Sequence, residues 1–325
     1  MTPRSIGWTR RLVMAEPVAL GALALDAALG WPDRLHARTG HPVGGFARLI
    51  AACDRGGNRP TLGSARRRLC GIATLLLLLA VAAGGGWIAQ MLIRRLMGGW
   101  AWIGLALAAW PALAQRSLHD HVLPIIRALE ACDLPAARLA VGRIVGRDTA
   151  PLDEAGVARA GIESLAESFC DGVAAPLFWL LLLGLPGVWA YKAVNTADSL
   201  IGHREEPYGA FGWAAARFDD LLNLLPARLA ALLLCIAGGR GWRIVWRDHA
   251  RHASPNAGWP EAAMAGALGV RLAGPIRYDG IVHAKPWIGG EGREAGVGDA
   301  RRALTLYLRA CLLLWLLALA WEMGL

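Results

Sequence analysis

Residues 161–199 read GIESLAESFCDGVAAPLFWLLLLGLPGVWAYKAVNTADS. Two polar blocks, 161–172 and 191–199, flank an apolar run of membrane character. A third polar block, 217–228, follows and completes a motif core over 161–228. Polar groups beside so much apolar sequence cost free energy unless they are paired, metal-bound or catalytic. The motif core is therefore either an active site or a costly piece of scaffold.

The composition predicts a membrane protein. Of the 325 residues, 55% are hydrophobic and only 18% are charged, whereas about 25% are charged in a typical soluble protein. Many of the 15 Trp lie at the ends of apolar runs, where the bilayer interface favours them. A large helical core is the alternative. Apolar runs near the ~20 residues needed to span a bilayer lie at approximately 12–30, 69–93, 100–115, 173–190, 224–238 and 303–321.

The predicted fold is an all-α, polytopic membrane bundle in a single domain, 1–325, with re-entrant or amphipathic helices and long polar loops. No alternation typical of strands and no tandem repeat is present. Segment 173–190 contains Pro176 and the sequence Leu185-Pro186-Gly187, so both a straight span and a re-entrant hairpin fit it. The polar, Gly-rich segment 239–302 is predicted to be a loop.

Charge and cysteine content exclude several functions. The formal net charge is +9, and Arg supplies 32 of the 34 basic residues. Arg clusters flank apolar runs, as anchoring charges at a lipid surface do, so nucleic acid is not an expected partner but membrane lipid is. The six Cys are scattered without a CxxC pair, which indicates neither a disulfide framework nor a zinc site.

The first polar block carries Glu163, Glu167 and Asp171 at helical spacing. On a helix these carboxylates form one stripe, and like charges at this spacing repel. A divalent cation or a basic substrate would turn that repulsion into binding. The alternative is a solvated acidic face at a membrane surface, but Ser164 and Gly172 add polar, close-approach character to the same turns.

The second block places Lys192, Asn195 and Ser199 on one helical face, with Asp198 adjacent. A Lys beside amides and hydroxyls can hold a phosphate as a point charge. The alternative is a lysine that extends from the end of the apolar run towards water.

The third block has Asp219 and Asn223 one helical turn apart, with Asp220 beside them. Paired acids and an amide are a hard-oxygen ligand set suited to Mg²⁺. Arg217 and Arg228 could pair with these acids or contact phosphate oxygens. No GxxxxGK[ST] loop occurs, which excludes that class of nucleotide site.

Three further segments lie in the predicted loop. Residues 254–258 read SPNAG, and residues 264–270 have the small side chains of a closely packed helix. A rigid loop with Lys285-Pro286 follows. These segments alone are weak evidence for a site.

Taken together and in order, these motifs resemble those of the CobD/CbiB family of adenosylcobinamide-phosphate synthases. The resemblance runs nearly from end to end. It is carried by Gly30-Trp31-Pro32-Asp33, His41-Pro42-Val43-Gly44, the blocks beginning at Glu163, Tyr191 and Asp219, and Ser254-Pro255-Asn256-Ala257-Gly258.

The resemblance implies an enzyme of cobalamin biosynthesis. Its reaction would join (R)-1-aminopropan-2-ol, or its O-phosphate, through an amide bond to the f-propionate of the corrinoid adenosylcobyric acid. ATP as a substrate and Mg²⁺ are expected, with no tightly bound cofactor. The implied location is the bacterial inner membrane, with the active site at the cytoplasmic face. Other membrane enzymes of late cobamide assembly are further expected partners.

The resemblance also suggests roles for individual residues. The residues implied to hold Mg²⁺ are Glu163, Asp171, Asp219, Asp220 and Asn223. The expected catalytic set is Glu163, Asp171, Lys192, Asp219 and Asp220. The expected substrate-binding set is His41, Ser164, Asn195, Asp198, Ser199, Arg217, Arg228 and Asn256.

Three other functions compete with this interpretation. A membrane prenyltransferase would use Mg²⁺-diphosphate at Asp-rich helices, but it would need two similar Asp-rich repeats and more spans. A non-enzymatic sensor or accessory protein, resembling AmpE, could keep the fold while losing the acids, and the acids are present here. A transporter would suit broken helices, but the hydropathy pattern has no inverted symmetry.

Overall fold

The chain folds almost entirely into helices. The computed structural model describes residues 16–203, 205–278 and 280–325, so the first four residues of the predicted segment 12–30 lie outside the described part. The helices are α1 Val18–Leu29, α2 Asp33–Thr39, α3 Pro42–Gly57, α4 Ser64–Met97, α5 Ala101–Ala109, α6 Gln115–Glu130, α7 Leu134–Val141, α8 Glu154–Phe169, α9 Ala175–Ile201, α10 Trp213–Leu222, α11 Leu224–Gly238, α12 Trp242–Asp248, α13 Gly258–Leu268 and α14 Val297–Glu322.

Three helical stretches are long and apolar enough to cross a membrane: Ser64–Glu130, Glu154–Ile201 and Val297–Glu322. A fourth arises if α10 and α11, which meet at a bend of 47°, count as one span. Large apolar side chains such as Trp87 on α4 and Leu312 on α14 are exposed, as expected for surfaces that face lipid. The predicted all-α polytopic membrane class is confirmed.

Helix α9 is a hairpin of two helical limbs. Its backbone leaves the helical conformation at Gly184, which has φ 67° and ψ −150°. The limb that returns from this point packs antiparallel to α4, because Leu185 N–H donates to Gln90 Oε1 at 3.0 Å while Ile201 and Leu78 share a small core cluster. Of the two alternatives left open for 173–190, the structure has the hairpin.

The hairpin brings the first two polar blocks together. The Tyr191 hydroxyl lies 3.4 Å from the carbonyl oxygen of Asp171, although an unbroken helix would separate these residues by about 30 Å. The tip of the hairpin lies beside Gln90. It does not reach the far end of the bundle, because α4 continues from Gln90 to Met97. We call the end of the bundle that contains Asp171 and Tyr191 the site end, and the end beside Gly184 the tip end.

The main core lies between α1, α5, α6, α8, α11, α13 and α14. Phe169 of α8 and Tyr307 of α14 meet edge to face at 5.7 Å. The buried carboxylate of Asp26 on α1 accepts from the backbone N–H of Gln115 at 2.7 Å, and so caps the start of α6, whose N-cap residue Ala114 makes no side-chain hydrogen bond. This buried acid is therefore part of the scaffold.

The prediction of a loop over 239–302 needs correction. This segment contains α12, α13 and four short strands, β1 Leu272–Ala273, β2 Ile276–Tyr278, β3 Ile281–His283 and β4 Trp287–Ile288. The β2–β3 hairpin lies within the antiparallel β1–β4 pair. The small residues of α13 allow it to pack closely on α11, where Gly238 and Ala267 are in contact. The high content of Gly and Pro suggested a loop. The strands are also too short to show the alternation of apolar and polar residues that predicts a strand.

Replacing Gly184 with Ala should destabilise the hairpin by about 1–3 kcal/mol, because its backbone conformation is essentially restricted to glycine. An added Cβ would also collide with the Gln90 amide. Thermal unfolding in detergent measures the effect. The control is Gly85→Ala on the exposed side of α4, where a Cβ meets nothing within 4 Å; equal melting temperatures for both variants would contradict the role of Gly184.

Candidate active site

Asn223 joins the three polar blocks at the site end. Its side chain is buried, with 2% of the residue exposed. The amide nitrogen donates to Asp219 Oδ2 at 2.9 Å, and the amide oxygen accepts from the Tyr191 hydroxyl at 3.0 Å. The Cys170 thiol lies 3.9 Å from the same oxygen. Each block thus contributes at least one group to a single buried cluster.

A π turn contains Asp171. Helix α8 ends at Phe169, and residues Cys170–Ala174 form a π turn before α9 begins. Asp171 lies close enough to Glu167 for the two carboxylates to interact. The predicted stripe of three carboxylates is nevertheless shared between two cavities, because Glu163 lines one, Asp171 lines the other and Glu167 lines both.

The larger of these cavities, which we call the acidic chamber, has a volume of about 470 Å³. Most of the polar side chains that line it are acids or amides, and the exceptions are His252 and Ser254. The acids and amides are Glu167, Asp171, Asp198, Glu205, Asp219, Asp220, Asn223 and Asn256.

Asp219 and Asn256 both line this chamber. Asp219 Oδ1 is buried without a hydrogen-bond partner, which is costly unless a ligand binds there. Asn256 Nδ2 donates to the Asp220 carbonyl at 2.7 Å, and its oxygen accepts from Arg228 at 3.2 Å. The Arg228 guanidinium stacks 4.5 Å from the Trp259 ring, so it supports Asn256 from outside the chamber.

A second cavity of about 260 Å³, which we call the donor chamber, lies next to the acidic chamber. Glu167 and His252 line both cavities and form their shared wall. The remaining polar side chains of the donor chamber are Arg147, Glu163, Ser164, Glu261 and Lys285.

Glu163 lies apart from the acids with which the sequence grouped it. Its carboxylate pairs with Arg147 and accepts from the backbone N–H of Ala273 at 2.7 Å. Both oxygens are therefore engaged in holding α8 to the loop before it and to β1. The structure does not bring Glu163 together with Asp171 and Asp219 in one ligand set.

Lys192 lies between the acidic chamber and a third cavity of about 430 Å³ lined by Trp31, His36 and His41. Its ammonium interacts electrostatically with Asp171 and Asp219. His41 Nδ1 accepts from the Val43 N–H at 3.2 Å. Burial, aided by the nearby charge of Lys192, lowers the pKa of His41, which favours a neutral imidazole at neutral pH.

Other predicted residues have different surroundings. Asn195 lies next to both Asp171 and Asp219, so it belongs to the cluster. Ser199 is exposed and donates to the Asn195 carbonyl of its own helix at 2.9 Å. Arg217 is mostly exposed and approaches Asp220 at 3.6 Å. Ser164 lines the donor chamber but donates to the Ile144 carbonyl at 3.0 Å.

The sequence did not assign several residues that line the chambers or join the blocks. These are Arg147, Glu167, Tyr191, Glu205, His252, Glu261 and Lys285. One signal was present for Lys285, because the chain has only two lysines and both lie at the chambers. No comparable signal marks His252 or Glu261, whose partners are remote in sequence.

A cavity of about 590 Å³ lies at the tip end, beside Gln90, Gly184 and Glu322. It is larger than either chamber, but none of the predicted site residues lines it. The volume of a cavity therefore does not identify the site. The acidic chamber is the candidate because titratable side chains converge there.

Within the described residues no three His, Cys, Asp or Glu side chains converge tightly enough to hold a metal ion by themselves. Mg²⁺ bound with a nucleotide needs less, because it keeps waters and takes one or two carboxylates besides the phosphates. The unpartnered Asp219 Oδ1 and the other acidic oxygens of the chamber fit that requirement.

The fold and the site thus define a polytopic helical membrane protein with an acidic chamber built from three sequence blocks. The chain belongs to the CobD/CbiB protein family, whose model matches residues 19–307.

Curated relatives match nearly the whole chain. Cobalamin biosynthesis protein CobD of Rhodobacter capsulatus is 48% identical over 311 residues, which cover 93% of this chain and 97% of the relative. The proteins of the same name from Rhizobium meliloti and Klebsiella pneumoniae are 45% and 41% identical, and cover 89% and 88% of this chain and 91% and 90% of their own lengths. No solved structure matches.

Replacing Glu261 with Gln should produce a pH-dependent gain in stability. Burial, aided by Glu163 and Glu167, raises the pKa of Glu261 well above its usual range. The folded state therefore keeps a proton that the unfolded chain loses near its ordinary pKa of about 4.3. The stability from this proton is complete below that pH and falls as pH rises.

The melting temperature of Glu261→Gln, relative to wild type, should consequently increase from pH 5 to pH 8 in detergent. Glu291→Gln, which removes a carboxylate whose side chain is 72% exposed, is the control and should show no such trend. A constant difference for Glu261→Gln would mean that the carboxyl is ionised in the folded protein.

Proposed function

We propose that this protein is an adenosylcobinamide-phosphate synthase, an ATP-dependent ligase of cobalamin biosynthesis. It would join the amine of (R)-1-aminopropan-2-ol, or its O-phosphate, to the f-propionate carboxyl of adenosylcobyric acid. Family membership supports the role in cobalamin biosynthesis. The observation that carries the proposed chemistry is the convergence of acids from three sequence blocks on one chamber, next to Lys192.

Amide formation requires activation, because a carboxylate is a poor electrophile. In the proposed sequence, a carboxylate oxygen of the corrinoid attacks the γ-phosphorus of ATP and ADP leaves. The amine nitrogen then attacks the acyl carbon of the resulting acyl phosphate and inorganic phosphate leaves. The incoming ammonium must lose its protons before and during this attack, so a general base is needed.

The chamber has groups suited to each requirement. Asp171 lies between Lys192 and Asn195, and we assign it to bind the ammonium and accept its proton. Lys192 would contact a phosphate oxygen as a point charge. Asn256 is held by a hydrogen bond to the protein, so it would orient bound substrate with little loss of entropy.

Asp219 and Asp220 are the residues we assign to Mg²⁺, with Asn223 beside them. Bound there, Mg²⁺ would neutralise phosphate charge as it is transferred. Arg217 approaches Asp220 at the chamber's edge and would attract the polyphosphate from solvent.

We further propose that the site end faces the cytoplasm of a bacterial inner membrane, where ATP is available. At this end lie Arg66–Arg68 and the arginine-rich segment before α8. At the tip end of α4 are Arg94 and Arg95. Among the residues that the structure describes, more positive charge lies at the site end, which supports this orientation.

Replacing Asp219 with Asn should reduce kcat/KM for amide formation by roughly 100-fold or more, as loss of a preorganised electrostatic group does. It should also raise the Mg²⁺ concentration needed for half-maximal rate. The assay uses detergent-purified protein with adenosylcobyric acid, the phosphorylated amine and ATP, at varied Mg²⁺.

Glu130→Gln, which removes an exposed carboxylate paired with Arg301, should keep wild-type kinetics. If Asp219→Asn retains near-normal rate and Mg²⁺ dependence, the metal assignment is wrong. If folded wild-type protein forms no amide, the ligase proposal itself fails.

The orientation can be tested by cysteine labelling in a Cys132→Ser background, since Cys132 is exposed. A cysteine at Ser199, exposed at the site end, should react with a membrane-impermeant maleimide in inverted vesicles but not in spheroplasts. A cysteine at Leu96, which is 82% exposed near the tip end of α4, should react in spheroplasts but not in inverted vesicles. The reverse pattern would place the chamber outside.

A further inference from the structure

We infer that the cavity at the tip end binds one phospholipid with an ethanolamine headgroup. Its acyl chain would lie under the tip of the hairpin, and its headgroup would bind Arg94 and Glu16. A lipid held there would support the hairpin that carries Lys192. The inference does not depend on the proposed reaction. It depends on where the hairpin stops, on the lining of the cavity and on the charges at its mouth.

The hairpin leaves part of the bilayer thickness unfilled. It turns at Gly184, beside Gln90 of α4, whereas α4 continues to Met97. At 1.5 Å per residue this difference is about 10 Å, which is a large part of one leaflet of a hydrocarbon core about 30 Å thick. The cavity of about 590 Å³ lies beside this turn.

The inner lining of the cavity is apolar. It is formed by Leu105 of α5 and by Leu180, Leu181 and Leu183 of the hairpin, with Val18 at the start of α1. Water does not fill apolar cavities readily, because it finds no hydrogen-bond partners there. Inside a bilayer the available apolar occupant is an acyl chain, and the volume is within the range of small-molecule sites, about 300–1,000 Å³.

The mouth of the cavity lies at the level of the lipid headgroups. Trp100 directly follows the end of α4, and Trp321 is next to the last residue of α14. These side chains are 68% and 58% exposed, and exposed Trp is typical of the interface between membrane and water. Because Trp321 also lines the cavity, a lipid whose chain lies inside would have its headgroup beside Arg94 and Glu16.

The charges at the mouth are suited to a zwitterion. Arg94 Nη2 donates to Glu16 Oε2 at 3.0 Å, and the two side chains are 56% and 42% exposed. This contact uses one nitrogen of the guanidinium and one oxygen of the carboxylate, so both groups can make further hydrogen bonds. A lipid phosphate would accept from Arg94, and the ammonium of ethanolamine would donate to Glu16.

Other common headgroups fit this pair less well. A choline headgroup has a positive charge but no N–H to donate to Glu16. A glycerol headgroup has no positive charge, so the phosphate beside it would also be repelled by the carboxylate. The ethanolamine headgroup is the one of these three that offers an anion to Arg94 and a hydrogen-bonding cation to Glu16.

Glu322 lines the same cavity but supports the fold. Its two oxygens accept from the backbone N–H groups of Ala19 and Leu20 at 2.6 and 3.4 Å, and so cap the start of α1. This contact ties the beginning of α1 to the end of α14. Glu16 lies two positions before α1, so its place at the mouth is fixed by the same contact.

Thermal unfolding of the whole protein in detergent, with added phospholipid, tests the inference. Phosphatidylethanolamine, phosphatidylcholine and phosphatidylglycerol with the same acyl chains are compared at increasing concentrations. Phosphatidylethanolamine should reach half of its stabilising effect at a concentration roughly 10-fold lower than either other lipid, as expected for one additional charge-assisted hydrogen bond. Equal effects of the three lipids would mean non-specific lipid contact only and would overturn the inference.

Two variants separate the contributions of the headgroup. Glu16→Gln should abolish the preference for phosphatidylethanolamine over phosphatidylcholine, because these lipids differ only in the ammonium group. Arg94→Gln should weaken the effect of all three lipids by roughly 10-fold, through loss of the phosphate contact. The matched control is Arg95→Gln, which changes the exposed neighbour outside the cavity and should alter neither quantity. Equal effects of Arg94→Gln and Arg95→Gln would contradict the site.

Photo-cross-linking locates the acyl chain. A photoreactive amino acid at Leu181, which lines the cavity, should capture phosphatidylethanolamine in preference to phosphatidylcholine from mixed bilayers. At Leu182, which is 50% exposed outside the cavity, it should capture both equally. Equal capture at both positions would overturn the inference. So would a cross-link from Leu181 to residues 1–15, because the cavity would then be filled by the protein's own chain.

Discussion

The buried amide of Asn223 is the interaction on which the arrangement of the site depends. It donates to Asp219 and accepts from Tyr191, and so ties the third polar block to the limb that returns from Gly184. An apolar side chain could satisfy neither partner, and an unpaired buried group would cost about 1–3 kcal/mol. With this link in place, Asp171, Asp198 and Asp219 are held around one cavity despite their mutual repulsion.

The buried acids fall into two groups according to their hydrogen-bond partners: some stabilise the fold, and others are available to a ligand. Glu163 is neutralised by Arg147 and anchored to β1 through Ala273, which fixes the position of α8 against the sheet segment. Asp26 likewise caps α6. Asp219 differs from both because one of its oxygens is buried without a partner. An acid with satisfied oxygens stabilises the bundle, whereas one left unsatisfied marks where a ligand binds.

The sequence was sufficient for the class of fold, most apolar segments and most of the acids and amides that line the acidic chamber. These depend on composition and on residues one or two helical turns apart, as for Asp219 and Asn223. It was insufficient wherever the geometry depends on distant segments. The π turn that separates Asp171 from Glu163, and the approach of His252 and Glu261 to α8, leave no periodic signal. Residues 239–302 appeared to be a loop because α13 and the short strands are formed from small residues, Gly and Pro.

The π turn at Cys170–Ala174 also limits how the gene can change by insertion or deletion. A π turn is equivalent to one residue inserted into an α-helix. Losing one codon there would restore regular winding, and each residue beyond would rotate by about 100° relative to α8. The hairpin that carries Lys192 would then turn relative to Glu163 and Glu167 of α8. The number of residues in this turn, as much as the identity of the nearby acids, therefore specifies the chamber.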